Sequence, residues 1–298
     1  MLPLHTSLAL ASSFLLVLAM AGCATTSAVA PEPAAAPTAT PTAASAPTTA
    51  ADTSAALAAV LAGPHRSEAN KARDVYRHPA ETLAFFGLAR DMTVVEIWPG
   101  GGWYTEVLAP VLKEKGRYYA AGFEADTDSD YRKKSLVTFG EKLAASPDLY
   151  GSVVVTELGA KKLEVAPPGS ADLVLTFRNV HNWMSADFAD AAFVAMYAAL
   201  KPGGVLGVVE HRAGTEAPQD PKAVSGYVRE DHVIAMAEKA GFKLVDRSEI
   251  NANAKDTRDH PKGVWTLPPA LRLEGVDREK YVAIGESDRM TLKFVKPQ

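Results

Sequence analysis

The sequence predicts a doubly wound α/β fold, a mostly parallel sheet covered by helices on both faces, and three observations carry that prediction. Val94-Val95-Glu96-Ile97, Asp172-Leu-Val-Leu-Thr-Phe177 and Val205-Leu-Gly-Val-Val-Glu210 are near-continuous apolar runs of the kind that strands buried on both faces require. Segments of helical period separate them, so strand and helix alternate along the chain. The first run ends in an acid and breaks into Gly100-Gly101-Gly102 before the next helix, a turn that builds a ligand pocket at the carboxyl end of a strand.

At the amino-terminal side, Leu8 to Met20 is apolar, too short to span a bilayer and of the length of a signal-peptide core. The following Met20-Ala21-Gly22-Cys23 resembles the lipobox of bacterial lipoproteins, in which the cysteine is lipidated and becomes the mature N-terminus. Cys23 is the only cysteine, which excludes a disulfide within one chain and a cysteine-based zinc site. The resemblance implies a cell-envelope protein on the periplasmic side, anchored to the membrane through Cys23. Ala24, in place of Asp after that cysteine, points to the outer membrane, while an unused signal would leave the protein cytoplasmic. Residues 23–56 are almost entirely Ala, Thr, Pro and Ser, which bury too little apolar area to offset chain entropy. The expected organisation is a signal peptide over 1–22, a disordered linker over 23–56 and one folded domain over 57–298.

Within the domain, a helical preface comes first. Ser67 to Arg77 reads as a helix capped by Ser67 and stopped at His78-Pro79, and Ala80 to Gly87 as a second, short helix. Thr93 to Trp98 is a strand, Trp103 to Lys113 a helix shortened or bent by Pro110, and Arg117 to Gly122 the second strand. A helix over Tyr131 to Ala145 and a strand over Ser152 to Thr156 follow, then the strand Asp172 to Phe177. Ala186 to Leu200 is an Ala-rich helix, and Lys201-Pro-Gly-Gly204 leads into the strand Val205 to Glu210. Asp231 to Ala240 is a helix closed by Gly241, with Asp231 readable either as its N-cap or, with Tyr227 and Arg229, as part of a substrate loop. Phe242 to Val245 and Met290 to Val295 are strands with no long helix between them, which suits an antiparallel C-terminal edge.

At 298 residues, 47% hydrophobic and 22% charged, the chain has material for one well-packed domain. A net charge of −4 without a basic stripe disfavours nucleic acid as partner and suits a small molecule. The sequence leaves the oligomeric state open.

Four pieces in order, Glu96 to Thr105, Asp172 to Asn179, Leu200-Lys-Pro-Gly-Gly204 and Lys239-Ala-Gly-Phe242, resemble the class I S-adenosylmethionine-dependent methyltransferases, over about Arg66 to Lys296. With Trp98-Pro-Gly-Gly-Gly-Trp-Tyr-Thr105 they look like a group of bacterial methyltransferases of unassigned substrate. The resemblance implies S-adenosylmethionine as cofactor. Glu96 would meet its ammonium, and Gly100, Gly102 and Tyr104 would stand at the turn that cradles its methionine end. It also brings Trp98, Arg178 and Asn179 to the cofactor, with Trp98 standing at the family's first glycine. The family's ribose-binding acid falls on Gly122, which leaves Glu124 as the nearest substitute.

Arg178 to Trp183 follows one strand and Glu210-His211-Arg212 ends another, so both tips open on one cleft. His181, His211 and Glu210 are the catalytic candidates, a histidine serving as general base near neutral pH. Methyl transfer also proceeds by positioning without a base. The histidines lack the His-x-x-x-His spacing of a helical zinc site, and no metal is expected. Tyr76, Arg77 and His78 read as a lid or as an exposed turn. The turn is not Gly-x-Gly-x-x-Gly, which disfavours a nicotinamide dehydrogenase, and Gly-x-Ser-x-Gly and Walker motifs are absent. The alternative function is a lipid-anchored envelope protein that binds another ligand with a repurposed methyltransferase fold.

Overall fold

The computed structural model describes residues 49–298, so the expected signal peptide, Cys23 and the linker as far as residue 48 lie outside the described residues. The expected boundary at Leu57 falls inside a helix, because α1 (Ala50–Ala62) takes in the end of the Ala/Thr-rich stretch. Alanine is the strongest helix former, and Thr49 with Asp52 closes a reciprocal capping box at 3.1 and 3.2 Å. Thr53 and Leu57 then anchor the helix by burial.

The helix expected over Ser67 to Arg77 is two shorter ones, α2 (Glu68–Lys71) and α3 (Asp74–Arg77). Ser67 caps the first as expected, its Oγ accepting from Asn70 N at 3.2 Å. The break lets the buried Arg66 reach both carboxylate oxygens of Asp74 at 2.7 Å. His78 stops the segment at φ +40°, and Pro79 opens α4 (Pro79–Phe86), which ends on Gly87.

β1 (Thr93–Ile97) leads through the glycine turn to α5 (Thr105–Leu112), with Pro110 inside it. β2 (Arg117–Gly122), α6 (Asp130–Ala145), α7 (Pro147–Tyr150) and β3 (Val154–Glu157) complete one half of the sheet. β4 (Ala171–Phe177) opens the other half, and the chain turns at once into α8 (Val180–Ser185), which periodicity did not reveal. α9 (Ala189–Ala199) is therefore shorter than the helix expected from Ala186. β5 (Leu200–His211) absorbs the Lys-Pro-Gly-Gly segment through an irregular register beside β4. α10 (Glu230–Lys239) is capped by Arg229, with Asp231 in its first turn, so Asp231 is not the N-cap. β6 (Lys243–Ser248), α11 (Arg278–Ile284) and β7 (Arg289–Val295) finish the fold.

The sheet runs β3-β2-β1-β4-β5-β7-β6, parallel from β3 to β5, with β7 antiparallel between β5 and β6. Alternation along β1 sends Val94 to one apolar cluster with α1, α4 and α5, and Val95 and Ile97 to the other with α8, α9 and α10. Gly207 in β5 permits a close approach of α4, since a Cβ there would lie 2.7 Å from Phe86 Cγ. Strand order reverses between β1 and β4, and ligands of such sheets bind at that switch point, at the carboxyl ends of the strands. Because β7 is antiparallel, its first residue Arg289 pairs with His211, the last of β5. The start of β7 therefore joins the same rim. No helix among the described residues is long and apolar enough to cross a membrane.

Candidate functional site

A cavity of about 840 Å³ opens at that rim, within the size range of small-molecule sites. Glu96, next to last in β1, lines it while only 3% exposed. Burial pushes its carboxyl up to about 7, against hydrogen bonds from Tyr118 and Thr105 that favour the carboxylate. Both hydroxyls donate to Oε2, leaving Oε1 as the oxygen for a ligand. Beyond it the backbone enters the left-handed region at Trp98 (φ +47°), Gly100 (φ +57°) and Gly102 (φ +75°). A Cβ on Gly100 or Gly101 would meet nothing within 4 Å, so bare backbone faces the cavity. Lys142 pins the turn by donating to Gly101 O at 3.0 Å and to Glu106 at 2.5 Å.

Trp98 adopts a conformation that costs a non-glycine residue about 1–3 kcal/mol. Its packing holds it there. Nε1 donates to Leu158 O at 2.9 Å, and the ring contacts Phe123 and Trp183 with centroids 4.6 and 5.9 Å away. Arg132 lies over the ring at 5.2 Å, so the cation on this aromatic face comes from the chain itself. Tyr104 stacks on Phe177, the rings 3.6 Å apart and nearly parallel, and lines the middle of the cavity. Asn179 ties two strand ends together by donating to Ile97 O at 2.8 Å.

Two residues expected at the cofactor stand off the cavity wall. Gly102 lies behind the turn, where a Cβ would press on Lys142 and Phe139 at 3.1 and 3.2 Å. Glu124 points away, its Oε1 accepting from Lys161 N at 2.6 Å and its side chain packed over Gly159. Gly122 brings no side chain, so the end of β2 offers no carboxylate to a ribose.

Glu210 is fully buried and positions the two histidines instead of touching the cavity. Its oxygens accept from Val180 N at 2.6 Å, His211 N at 2.8 Å and His181 Nδ1 at 3.0 Å. A carboxylate at Nδ1 selects the tautomer that leaves His181 Nε2 as acceptor. His211 Nδ1 meets Ser287 Oγ at 2.5 Å, and the two imidazoles stand 5.3 Å apart on the cavity wall. Burial, reinforced by His181 and the nearby arginines, pushes the His211 pKa well down, so its ring is neutral at pH 7. Ligand atoms of His181, Glu210 and His211 fall within 4.8 Å of one another. The Glu210 to His181 separation of 3.0 Å is that of a hydrogen bond.

Sequence reasoning missed the far end of the cavity. Glu286, 2% exposed, accepts from Arg73 Nε at 2.6 Å, Arg77 Nε at 3.2 Å and Arg289 Nη2. Burial works to raise its pKa, and Arg289, Arg77 and Arg73 outweigh that and hold the carboxyl well below the usual range. Arg178, at φ +61°, adds a fourth guanidinium, which burial and Arg289 lower to about 10. Arg73, Arg77, Arg178 and Arg289 all line the cavity. Arg77 thus belongs to the wall, neither lid nor exposed turn. The only sequence signal was the polar Glu286-Ser-Asp-Arg289 running directly into an apolar strand. Tyr227 and Arg229 do not join the site, Tyr227 being committed to Asp256 at 2.9 Å and Arg229 to Asp231. The 3-10 turn Gly263–Thr266 and the segment after it take the expected loop position, with Trp265 of the turn and Arg272 beyond it on the wall.

The sheet order and its antiparallel β7 decide the fold. It is the class I methyltransferase fold. Among solved structures of this architecture, the [4+2]-cyclase SpnF superposes with a TM-score of 0.51 at 18% identity, over 79% of this chain and 85% of that one. A SAM-dependent methyltransferase from Aquifex aeolicus gives 0.48 at 20% identity, over 60% of this chain and 87% of its own. An arsenic(III) S-adenosylmethionine methyltransferase from Chlamydomonas reinhardtii gives 0.46 at 16%, over 82% and 73%. No family model and no curated protein matches the sequence.

Proposed function

We propose that the protein transfers a methyl group from S-adenosylmethionine to a small molecule. The fold alone does not choose a reaction, as its likeness to a [4+2]-cyclase illustrates. The observation that carries the reading is a buried carboxyl with one free oxygen, Glu96, followed by backbone open to the cavity at Gly100 and Gly101, both at the switch point of a class I sheet. These residues fit the methionine end of the cofactor. Glu96 Oε1 accepts from an ammonium, and the ammonium in turn favours the ionised carboxylate. The ribose end lacks its acid.

When bound, S-adenosylmethionine supplies an electrophilic methyl on a cationic sulfur. The chain itself orients the acceptor and removes its proton. His181 is the base the geometry favours, because Glu210 fixes its tautomer and stabilises the imidazolium formed when Nε2 takes the proton. His211, its ring centroid 5.3 Å from that of His181 and held neutral by burial, is a hydrogen-bonding neighbour on the wall and a poorer base than His181.

Calorimetric titration of the full chain with S-adenosylmethionine and S-adenosylhomocysteine tests the reading, which expects dissociation constants in the micromolar range. No heat up to millimolar ligand would discard it. The second reading, an envelope protein binding another ligand with the same fold, draws its support from Gly122 and Trp98, and a different small molecule retained through purification would favour it. For location we propose a lipid anchor at Cys23, on sequence grounds. Fractionation of the wild type beside Cys23→Ser tests that, and a wild-type chain found only in the cytosol overturns it.

A further inference from the structure

The far end of the cavity holds more positive charge than its own carboxylate can balance. Glu286 faces three guanidiniums, and Arg178 faces the same space with no side-chain ion pair among the described residues. Arg178 makes its hydrogen bond through the backbone, N–H to Val209 O at 2.7 Å. Two donors deep in the cluster also lack partners among the described residues, Arg77 Nη1 and Arg289 Nε, on side chains only 3% and 2% exposed. A buried guanidinium N–H without an acceptor is costly, and such a group persists where a ligand completes it. The geometry points to an anion site here, formed by Arg77, Arg178 and Arg289, that receives a carboxylate or phosphate group of the acceptor substrate.

Position separates the Arg289 end of this site from the cofactor's. Glu96 and the glycine turn belong to β1, whereas Arg289 begins β7, with β4 and β5 between them. Three strand spacings of about 4.8 Å put roughly 14 Å between the two ends. Arg178 and His181 follow β4 and His211 ends β5, so Arg178 and the histidines sit between, with Arg289 at the far end. An acceptor held by its anionic group on the arginines extends its other end past the histidines toward the glycine turn. Guanidiniums suit this task because their planar donor pairs match carboxylate and phosphate oxygens. The assignment rests on the methyl-transfer reading only for the word acceptor; anion binding is measurable without cofactor.

The test titrates the full chain with sodium benzoate, inorganic phosphate and, as neutral control, benzamide, following the fluorescence of the cavity tryptophans. Benzoate or phosphate is expected to bind at least tenfold more tightly than benzamide, weakening as salt rises. The tighter of the two identifies the group as carboxylate or phosphate. Arg178→Gln is expected to lose at least tenfold in that affinity while Arg178→Lys keeps more of it. Arg178 has no ion pair to break, which makes it the safer variant; Arg77→Gln is the second. Binding no tighter than benzamide, or unaffected by Arg178→Gln, overturns the site. Saturating S-adenosylhomocysteine is expected to leave the anion affinity within twofold, and competitive displacement would assign the arginines to the cofactor's carboxylate and overturn the acceptor role. Anion binding without any cofactor binding would sink the methyl-transfer reading and leave the anion site standing.

Discussion

The two ends of the cavity handle a buried carboxyl in opposite ways. Glu96 has only hydroxyl donors beside it, so burial wins and the group is half protonated near neutrality. Glu286 has three guanidiniums, so charge wins and the group stays ionised far into acid. The lesson is that desolvation does not set the charge of a buried acid by itself; the partners do. An end built like Glu96's is ready for a cation, and an end built like Glu286's carries surplus positive charge ready for an anion.

The sharpest way to break this contrast is Glu286→Gln, which leaves the buried Arg77 and Arg289 and the partly exposed Arg73 without their common counter-ion. Loss of one partner of a buried ion pair costs about 3–5 kcal/mol. Urea denaturation at pH 7 should show destabilisation of that order, partly recovered in phosphate buffer if the anion site is as assigned. Retention of wild-type stability would mean that the cluster is not electrostatically coupled.

The pH dependence separates the two acids next. Glu96, raised from 4.5 to about 7, contributes stability that is fully present below the unfolded pKa and lost as pH rises through 7. Glu286, depressed, contributes stability present above about pH 4.5 and lost as pH falls through its folded pKa. Glu96→Gln should therefore stabilise the protein at pH 8 by on the order of 3 kcal/mol relative to wild type and flatten its stability between pH 5 and 8. A variant that tracks wild type over that range would remove the raised pKa.

Trp98→Gly exchanges a strained but well-packed aromatic residue for a relaxed glycine. Loss of a buried aromatic side chain costs about 3–5 kcal/mol, and relief of the backbone returns about 1–3. Thermal or urea melts should show a net loss of roughly 2 kcal/mol. Gain of cofactor binding in that variant would mark the wild-type pocket as repurposed, and loss would mark it as adapted. The smallest effect is expected from Gly122→Asp. A Cβ there meets only Leu136 Cδ2 at 3.5 Å and Thr156 O at 3.8 Å, ordinary contacts that leave room for the carboxylate. Calorimetry should show S-adenosylhomocysteine binding about tenfold tighter, near 1.4 kcal/mol, with stability little changed. An unchanged affinity would mean that the ribose is not held at β2.

The legible parts of the molecule were those with local signals. The Val and Leu runs of β1, β4 and β5, Ser67 as a cap and Gly87 and Gly241 as helix stops each announce a backbone conformation within a few residues. The Glu96 turn was readable for the same reason. α1 was missed because Ala and Thr serve a linker as readily as a helix, and only the Thr49–Asp52 pairing tells them apart. Glu124 was misassigned because spacing cannot show that a loop turns its carboxylate toward Lys161. The arginine cluster was invisible, since Arg73, Arg77, Arg178 and Arg289 meet only after the sheet brings residues more than 200 positions apart together.

The placement of β7 has a consequence in time. It follows every other strand in the sequence, yet it sits between two of them, β5 and β6. A ribosome delivers Glu96, the glycine turn and both histidines well before Glu286 and Arg289, so the growing chain has one end of its cavity and a gap where the other will be. Only insertion of the last strand brings Glu286 and Arg289 to the arginines of the earlier chain. The site becomes complete at the moment the sheet closes, when Arg289 joins Arg77 and Arg178.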